Sequence, residues 1–150
     1  MKTYIEPTPG GSFGAAVAIS GNTVAIGAPC QLNKPVSEYG TKHRTVLIYT
    51  WDGDTPVPQQ SIVSPASGDC DGWFGNSLAI EDDTLLVGAP FANENSRNYV
   101  GSAYLYTRVN GTWTQAARFS VPGQIGSEYF GKAVALSAAG DATFVSASQN

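Results

Sequence analysis

Residues 74–90, with the sequence FGNSLAIEDDTLLVGAP, decide the fold because the chain contains this pattern twice. The other copy is 13–29, FGAAVAISGNTVAIGAP, and in both copies Gly-Ala-Pro starts 14 residues after the phenylalanine. A third pair, Phe130-Gly131, is followed 16 residues later by the degenerate Ser146-Ala147-Ser148. The Phe-Gly pairs are 61 and 56 residues apart, a period that indicates a repeat protein with one small β-unit per repeat.

Each repeat is predicted to form four antiparallel strands. In the first full repeat, apolar runs at 14–20 and 23–28 are joined by Gly21-Asn22, a strong hairpin signal. Residues 45–51 are rich in β-branched and aromatic side chains, and 58–64 is predicted as a fourth strand. Prolines at 56, 58 and 65 suit an outer edge, where a missing backbone N–H donor costs little.

The later repeats follow the same order. The other predicted strands are 75–80, 84–89, 101–107 and 112–120 in the second repeat, 131–137 and 142–147 in the third, and 2–7 upstream of the first. We therefore expect eleven strands, in groups of one, four, four and two, and the sequence shows no helical periodicity.

Side-chain size predicts how these strands are arranged. Small apolar residues dominate the first and second strands, as expected where neighbouring sheets crowd about a common axis. The third strands carry larger rings, which suit a wider gap further out: Tyr49, Trp51, Tyr104 and Tyr106. We predict an all-β chain, a β-propeller fragment of four-stranded antiparallel blades. A β-sandwich with accidental self-similarity is the alternative.

The period also predicts how the chain is divided. Residues 1–9 are expected to hold the last strand of a preceding blade, 10–66 and 67–123 one blade each, and 124–150 the first half of a further blade. Eleven strands leave open sheet edges and apolar faces. We therefore expect the chain to belong to a larger propeller or to self-associate through those edges.

Composition argues against two classes of protein. Apolar residues make up 42% of the chain and charged residues 13%, a balance typical of globular domains. The net charge is −4 and the eight Lys and Arg are scattered, so nucleic acid is not an expected partner. No apolar run approaches the roughly 20 residues of a membrane-spanning helix. No signal peptide is visible, which fits either a mature or truncated segment or an intracellular protein.

These repeats resemble the FG-GAP family, which forms the blades of integrin α-chain propellers and of many bacterial and protist surface proteins. The resemblance is carried by the two Phe-Gly/Gly-Ala-Pro pairs at 13–29 and 74–90, and by 101–106, GSAYLY. It implies a propeller module, extracellular or on the cell surface, with a non-catalytic role in protein or glycan binding and adhesion. Fold is the stronger part of this implication, because one fold serves many functions.

One departure from the family bears on metal binding. Integrin-like blades often carry an acidic calcium loop between their first two strands, where this chain has the short turns Gly21-Asn22 and Asp82-Asp83. A calcium ion needs six to eight oxygen ligands from a loop long enough to surround it. Asp69 and Asp71 sit in a fragment similar to a calcium loop, but a polar turn is favoured. We expect no metal and no cofactor.

The two cysteines are predicted to lie on one face of the propeller. Cys30 begins the loop after a second strand, and Cys70 lies in the loop that leads into the next blade. In an antiparallel meander these loops share a face, so a Cys30–Cys70 disulfide is predicted for an exported protein. Two free thiols are the alternative.

The same face is predicted to bind the ligand. Its loops at 30–44 and 91–100 are longer than the turns at the opposite face, and long loops on a rigid scaffold often carry recognition. Aromatic and arginine side chains can anchor a partner. The candidate ligand-binding residues are Tyr39, Arg44, Trp73, Phe91, Arg97, Tyr99 and Tyr129. Alternatively, the long loops merely tolerate insertions, and the Trp73 and Tyr129 rings pack over the adjacent blade.

Two further functions compete with a binding module. A structural or accessory propeller domain of a larger surface protein, enzyme or assembly would also fit the repeats. An enzyme is disfavoured because Asp69 and Asp71 form the one acidic pair of interest, and nothing in the sequence orients them.

Overall fold

The computed structural model describes residues 12–29, 45–65, 72–93, 99–122 and 128–148, which contain ten β-strands. These strands are β1 (Val17–Ser20), β2 (Thr23–Ala28), β3 (Thr45–Trp51), β4 (Pro56–Val63), β5 (Ser77–Glu81), β6 (Thr84–Ala89), β7 (Ser102–Val109), β8 (Thr112–Phe119), β9 (Val134–Leu136) and β10 (Thr143–Val145). The predicted strand at 2–7 lies outside the described residues.

The strands form three antiparallel sheets that repeat one topology. The first sheet has the order β1-β2-β3-β4, the second β5-β6-β7-β8, and the third pairs β9 with β10. Successive sheets stack in register, because β1 packs against β5, β5 against β9, and β4 against β8. The prediction of an all-β fold built from four-stranded antiparallel propeller blades is confirmed. Pro56 and Pro58 lie in β4, an outermost strand, as predicted.

The predicted start of each first strand is wrong. Strands β1, β5 and β9 begin at Val17, Ser77 and Val134, two or three residues after the glycine of the Phe-Gly pair. The prediction started each strand at that glycine, but every Phe-Gly pair forms a β-turn instead. In each turn the fourth residue donates a backbone hydrogen bond to the first: Ala15 to Ser12, Asn76 to Trp73 and Lys132 to Tyr129. The glycines have φ values of 82°, 91° and 90°, as the third position of a type II turn requires.

The same turn glycine connects the two halves of the motif within a sheet. The Gly14 N–H donates to the Gly27 carbonyl oxygen at 2.9 Å, and Gly75 donates to Gly88 at 3.1 Å. In the third sheet the Gly131 N–H donates to Ser146 at 2.9 Å. Ser146 therefore occupies the position of the Gly-Ala-Pro glycine, which identifies the degenerate third copy as structurally equivalent.

The motif also joins neighbouring sheets. A Cβ atom placed on Gly27 would overlap the carbonyl oxygen of Gly75, which belongs to the turn of the next sheet. A Cβ on Gly88 would overlap the Gly131 carbonyl in the same way. Ser77 donates its hydroxyl to that Gly131 oxygen at 2.7 Å. Glycine is therefore needed in β2 and β6 so that the following turn can approach the strand.

The core fills the space between the first two sheets. Phe74 is fully buried and packs edge-on against Tyr104 and Tyr106, with ring centroids 5.5 and 6.3 Å apart. Burial raises the pKa of the Tyr106 phenol far above its usual value. The remaining core residues are Ala25, Val46, Ile48, Ile62, Ile80, Leu85, Val87, Ala89, Ala92 and Trp113. Small residues of β2 thus lie against β5, and larger rings of β7 and β8 fill the outer part.

Polar contacts link the first and second sheets at the hairpin side, which carries the turns between β1 and β2 and between β5 and β6. The Arg108 guanidinium pairs with Asp83 at 2.6 Å, donates to the Thr23 hydroxyl of the first sheet at 2.9 Å, and lies 5.1 Å from the Trp113 ring centroid. The Asp82 N–H donates to the Ser20 hydroxyl, also across the sheets. The acidic turn at 82–83 therefore takes part in packing between blades.

A second polar contact links the outer strands. The Gln60 side chain of β4 donates to the Trp113 carbonyl oxygen at 2.9 Å and accepts from the Trp113 N–H at 2.8 Å. Strand β8 is the edge of its sheet, so this amide satisfies backbone groups that no neighbouring strand pairs.

Replacing Gly88 by alanine should destabilise the chain, because the added methyl meets the Gly131 turn. We expect a loss of about 1–3 kcal/mol in the free energy of unfolding, measured by urea denaturation with tryptophan fluorescence. Gly53→Ala is the control, since a Cβ there meets no atom within 4 Å although its φ of 100° is unfavourable. Wild-type stability of Gly88→Ala would contradict the proposed packing.

Replacing Gln60 by leucine should also lower stability, because it leaves a backbone donor and acceptor of Trp113 unpaired. The expected loss is about 1–3 kcal/mol in the same denaturation assay. Gln59→Leu is the matched control, since Gln59 is exposed and makes only a 3.5 Å contact to the Val57 carbonyl. Equal losses for the two variants would show that the Gln60 contact has no specific role.

Candidate functional site

Four of the predicted ligand-binding residues lie together in one aromatic cluster. The Phe91 ring is at its centre, with its centroid 4.6 Å from Trp73, 5.1 Å from Tyr129 and 5.8 Å from Tyr99. The Phe91–Tyr99 and Phe91–Tyr129 pairs are edge-on, and the Trp73–Phe91 pair is tilted by 55°. Such tilted and edge-on geometries are favourable for aromatic pairs, so the rings support one another.

Three rings of the cluster, Trp73, Phe91 and Tyr129, line a cleft at the junction of the second and third sheets. The cleft has a volume of about 280 Å³ and is lined by Trp73, Asn76, Pro90, Phe91, Tyr129 and Lys132. Most of these side chains are partly exposed, so the cleft is open to solvent. Three of the six lining residues in the described part of the chain are aromatic, and Asn76 and Lys132 add an amide and an ammonium.

The repeat explains why these residues meet. Trp73 and Asn76 are the first and last residues of the β-turn before β5, and Tyr129 and Lys132 hold the same two positions before β9. Between them comes Pro90, the proline of Gly-Ala-Pro, followed by Phe91. The cleft is thus built from one turn used twice, with the end of β6 between the two copies.

Sequence reasoning missed Asn76, Pro90 and Lys132. The signal was present in the repeat register, because Asn76 and Lys132 each follow a Phe-Gly pair directly. Once Trp73 and Tyr129 were selected as equivalent positions, the residues three places later could have been selected by the same logic.

The cleft is specific to this junction among the described residues. The turn before β1 has Ser12 and Ala15 at the positions of Trp73 and Asn76. Of these two turns, only the one before β5 has an aromatic ring at its first position within the part of the chain that the structure describes. A pair of facing aromatic positions arises where the second and third sheets meet.

The backbone adopts an uncommon conformation at three of the four aromatic residues. Trp73, Tyr99 and Tyr129 have φ values of 61°, 59° and 47°. The other described non-glycine residues with positive φ are Asp82 and Asn110, whose side chains tolerate it in tight turns. Bulky residues in this region are rare, and such strain is concentrated at functional sites.

Hydrogen bonds hold the segments around the cleft in place. The Phe91 N–H donates to the Gly72 carbonyl at 2.9 Å, which ties the loop after β6 to the turn before β5. The Tyr99 carbonyl accepts from the N–H groups of Glu128 and Tyr129, at 3.2 and 3.3 Å. A parallel bridge joins Gly101 to Phe130. Backbone hydrogen bonds therefore connect the segment of each ring to the segment of a neighbouring ring.

Three buried side-chain atoms near the cleft have no hydrogen-bond partner within the described part of the chain. They are Nε1 of Trp73, Oε2 of Glu128 and Oγ of Ser148. Glu128 is 4% exposed and precedes Tyr129, and its carbonyl oxygen accepts from the Ser148 N–H at 2.9 Å. Buried polar groups without partners are costly.

Several predicted residues lie outside the described parts of the chain. These are Tyr39, Arg44 and Arg97 among the ligand-binding candidates, the pair Cys30 and Cys70, and the acidic pair Asp69 and Asp71. The disulfide and the role of the acidic pair stay predictions.

Within the described ranges, no three His, Cys, Asp or Glu side chains are grouped closely enough to hold a metal ion. Across the same ranges, no helix has the length and apolar character needed to cross a membrane.

Comparison with protein families agrees with the geometry. A family model described as FG-GAP repeat matches residues 58–106, from the last strand of the first sheet to the third strand of the second. This span contains one complete motif, from the Phe74-Gly75 turn to Pro90. No curated protein matches the chain. The chain therefore carries the FG-GAP repeat, matched at residues 58–106, and its four-stranded sheets are propeller blades.

Proposed function

We propose that this chain is a non-catalytic binding module, extracellular or on the cell surface, which binds a protein or glycan and serves in adhesion. The ligand is held at the cleft between the second and third sheets. The observation that carries the proposal is that the rings of Trp73, Tyr99 and Tyr129 all pack around the Phe91 ring. FG-GAP repeats are typical of extracellular proteins, which supports the proposed location.

The four aromatic rings lie near the surface, where a ligand can reach them. Tyr99 is 43% exposed, and Trp73, Phe91 and Tyr129 are each partly exposed instead of being buried in the core. Large rigid rings provide contact area with little loss of side-chain entropy on binding. Positive φ at three of these residues adds a conformational cost. Ligand binding gives a reason for both features.

Removing two cleft rings should abolish ligand binding without unfolding the chain. We expect the labelled wild-type chain to bind ligands on a glycan array or on intact cells, and Trp73→Ala/Tyr129→Ala to lose at least about tenfold in affinity. Gln59→Ala, on the exposed part of β4, should bind as wild type. The proposal fails if the double variant, folded as judged by circular dichroism, retains full binding.

A second function is supported by different residues. Val17 and Ile19 of β1 are 60% and 65% exposed, whereas the equivalent residues of β5, Leu78 and Ile80, pack against the first sheet. Phe144 in β10 is 63% exposed. These apolar faces support a structural role, in which further blades or a second copy of the chain pack on the outer sheets.

Polar substitutions at those faces should reduce association. If the faces pack on other sheets, the wild-type chain should form oligomers in light scattering coupled to size exclusion, and Ile19→Ser/Phe144→Ser should shift it toward the monomer. Thr114→Ser, at an exposed position of β8, is the control. A wild-type chain that remains monomeric at high concentration would contradict self-association.

A further inference from the structure

We infer that the cleft takes a single acidic sugar ring, such as a hexuronate, with its carboxylate at Lys132 and one face on the aromatic wall. This inference rests on the proposed function and names the chemical class of the ligand. It is carried by the size of the cleft, the chemistry of its walls and the charge at its rim.

The size of the cleft limits the ligand to one ring. Its volume of about 280 Å³ lies at the lower end of ligand pockets, which span roughly 300–1,000 Å³. The two β-turns bound it on opposite sides, and Pro90 with Phe91 lies between them. A sugar unit at the end of a chain, or one unit of a chain that passes over the opening, can enter this space.

The walls match the faces of a sugar ring. Trp73, Phe91 and Tyr129 provide apolar surface, which the C–H groups of a pyranose can cover. Asn76 adds an amide with both a donor and an acceptor, which suits the hydroxyl groups at the edge of the ring. Apolar faces and a polar edge on one rigid ring therefore fit an aromatic wall with an amide beside it.

The charge of the rim selects an acidic ligand. Lys132 is the charged residue that lines the cleft, and it is exposed. The salt bridge that the described residues make is between Arg108 and Asp83, at the hairpin side, so no described carboxylate pairs with Lys132. A carboxylate on the ligand would complete an ion pair with this ammonium.

A peptide fits these features less well. A residue within a peptide chain supplies either an apolar side chain or a carboxylate, so an internal peptide segment would need two side chains to satisfy the aromatic wall and Lys132. Two side chains on a backbone require a longer groove than a cleft of this volume. A hexuronate carries both groups on one ring.

The inference is tested with simple probes and the 150-residue chain. Sodium glucuronate, glucose and sodium acetate are titrated while the amide and indole N–H signals are followed by NMR. We expect glucuronate to bind with a Kd on the order of millimolar, as befits one sugar ring. Glucose should bind roughly twofold to fivefold more weakly, in line with an exposed ion pair. Acetate alone should give no shifts at Trp73.

Variants separate the two contributions. Lys132→Met should remove the preference for glucuronate over glucose, and Lys132→Arg should retain it. Trp73→Phe should weaken the binding of both sugars but leave the preference unchanged. Gln59→Met is the control. Equal affinity of the wild type for the two sugars, or a preference that survives Lys132→Met, would overturn the inference.

The acidic-sugar inference and the proposed binding function can fail separately. If glucuronate does not bind, but another glycan or a protein binds with a loss in Trp73→Ala/Tyr129→Ala, the acidic-sugar inference is wrong and the proposed function stands. If no ligand depends on the cleft rings, both are wrong.

Discussion

The close contact between the turn glycine of one sheet and the strand glycine of the preceding sheet controls the rest of this structure. The carbonyl of Gly75 lies directly over Gly27, and the carbonyl of Gly131 over Gly88, so neither strand position has room for a Cβ atom. Within each sheet the same turn glycine donates to its own strand glycine or to Ser146. The two parts of the motif therefore set both the form of a sheet and its distance from the next.

The core and the polar contacts follow from this spacing. Sheets that approach closely at Gly27 can bury Phe74 against Tyr104 and Tyr106, whose rings fill the wider space between the outer strands. At that outer edge Gln60 bonds to the backbone of Trp113. Neighbouring blades are thus held together by close packing near their inner strands and by polar contacts near their outer strands.

The cleft is a consequence of the same turn. A four-residue turn with glycine in its third position carries its first and fourth residues on either side of that glycine, whose carbonyl packs on the strand glycine of the preceding sheet. With Trp73 and Tyr129 at the first position and Asn76 and Lys132 at the fourth, these two turns enclose an aromatic cleft.

The sequence alone determined the repeat, the all-β fold and the order of strands in each sheet, and it selected Trp73 and Tyr129 as equivalent positions, since the repeat period and the alternation of side chains can be read along the chain. It placed the first strands too early, because hydrophobic patterning does not reveal that Gly14 and Gly75 adopt positive φ in a turn. Only the tertiary structure decided that the rings meet at Phe91 and that Lys132 joins them. Residues far apart in the chain become neighbours because successive sheets pack together. The spacing between the sheets is set by contacts between blades, and a single repeat does not contain these contacts.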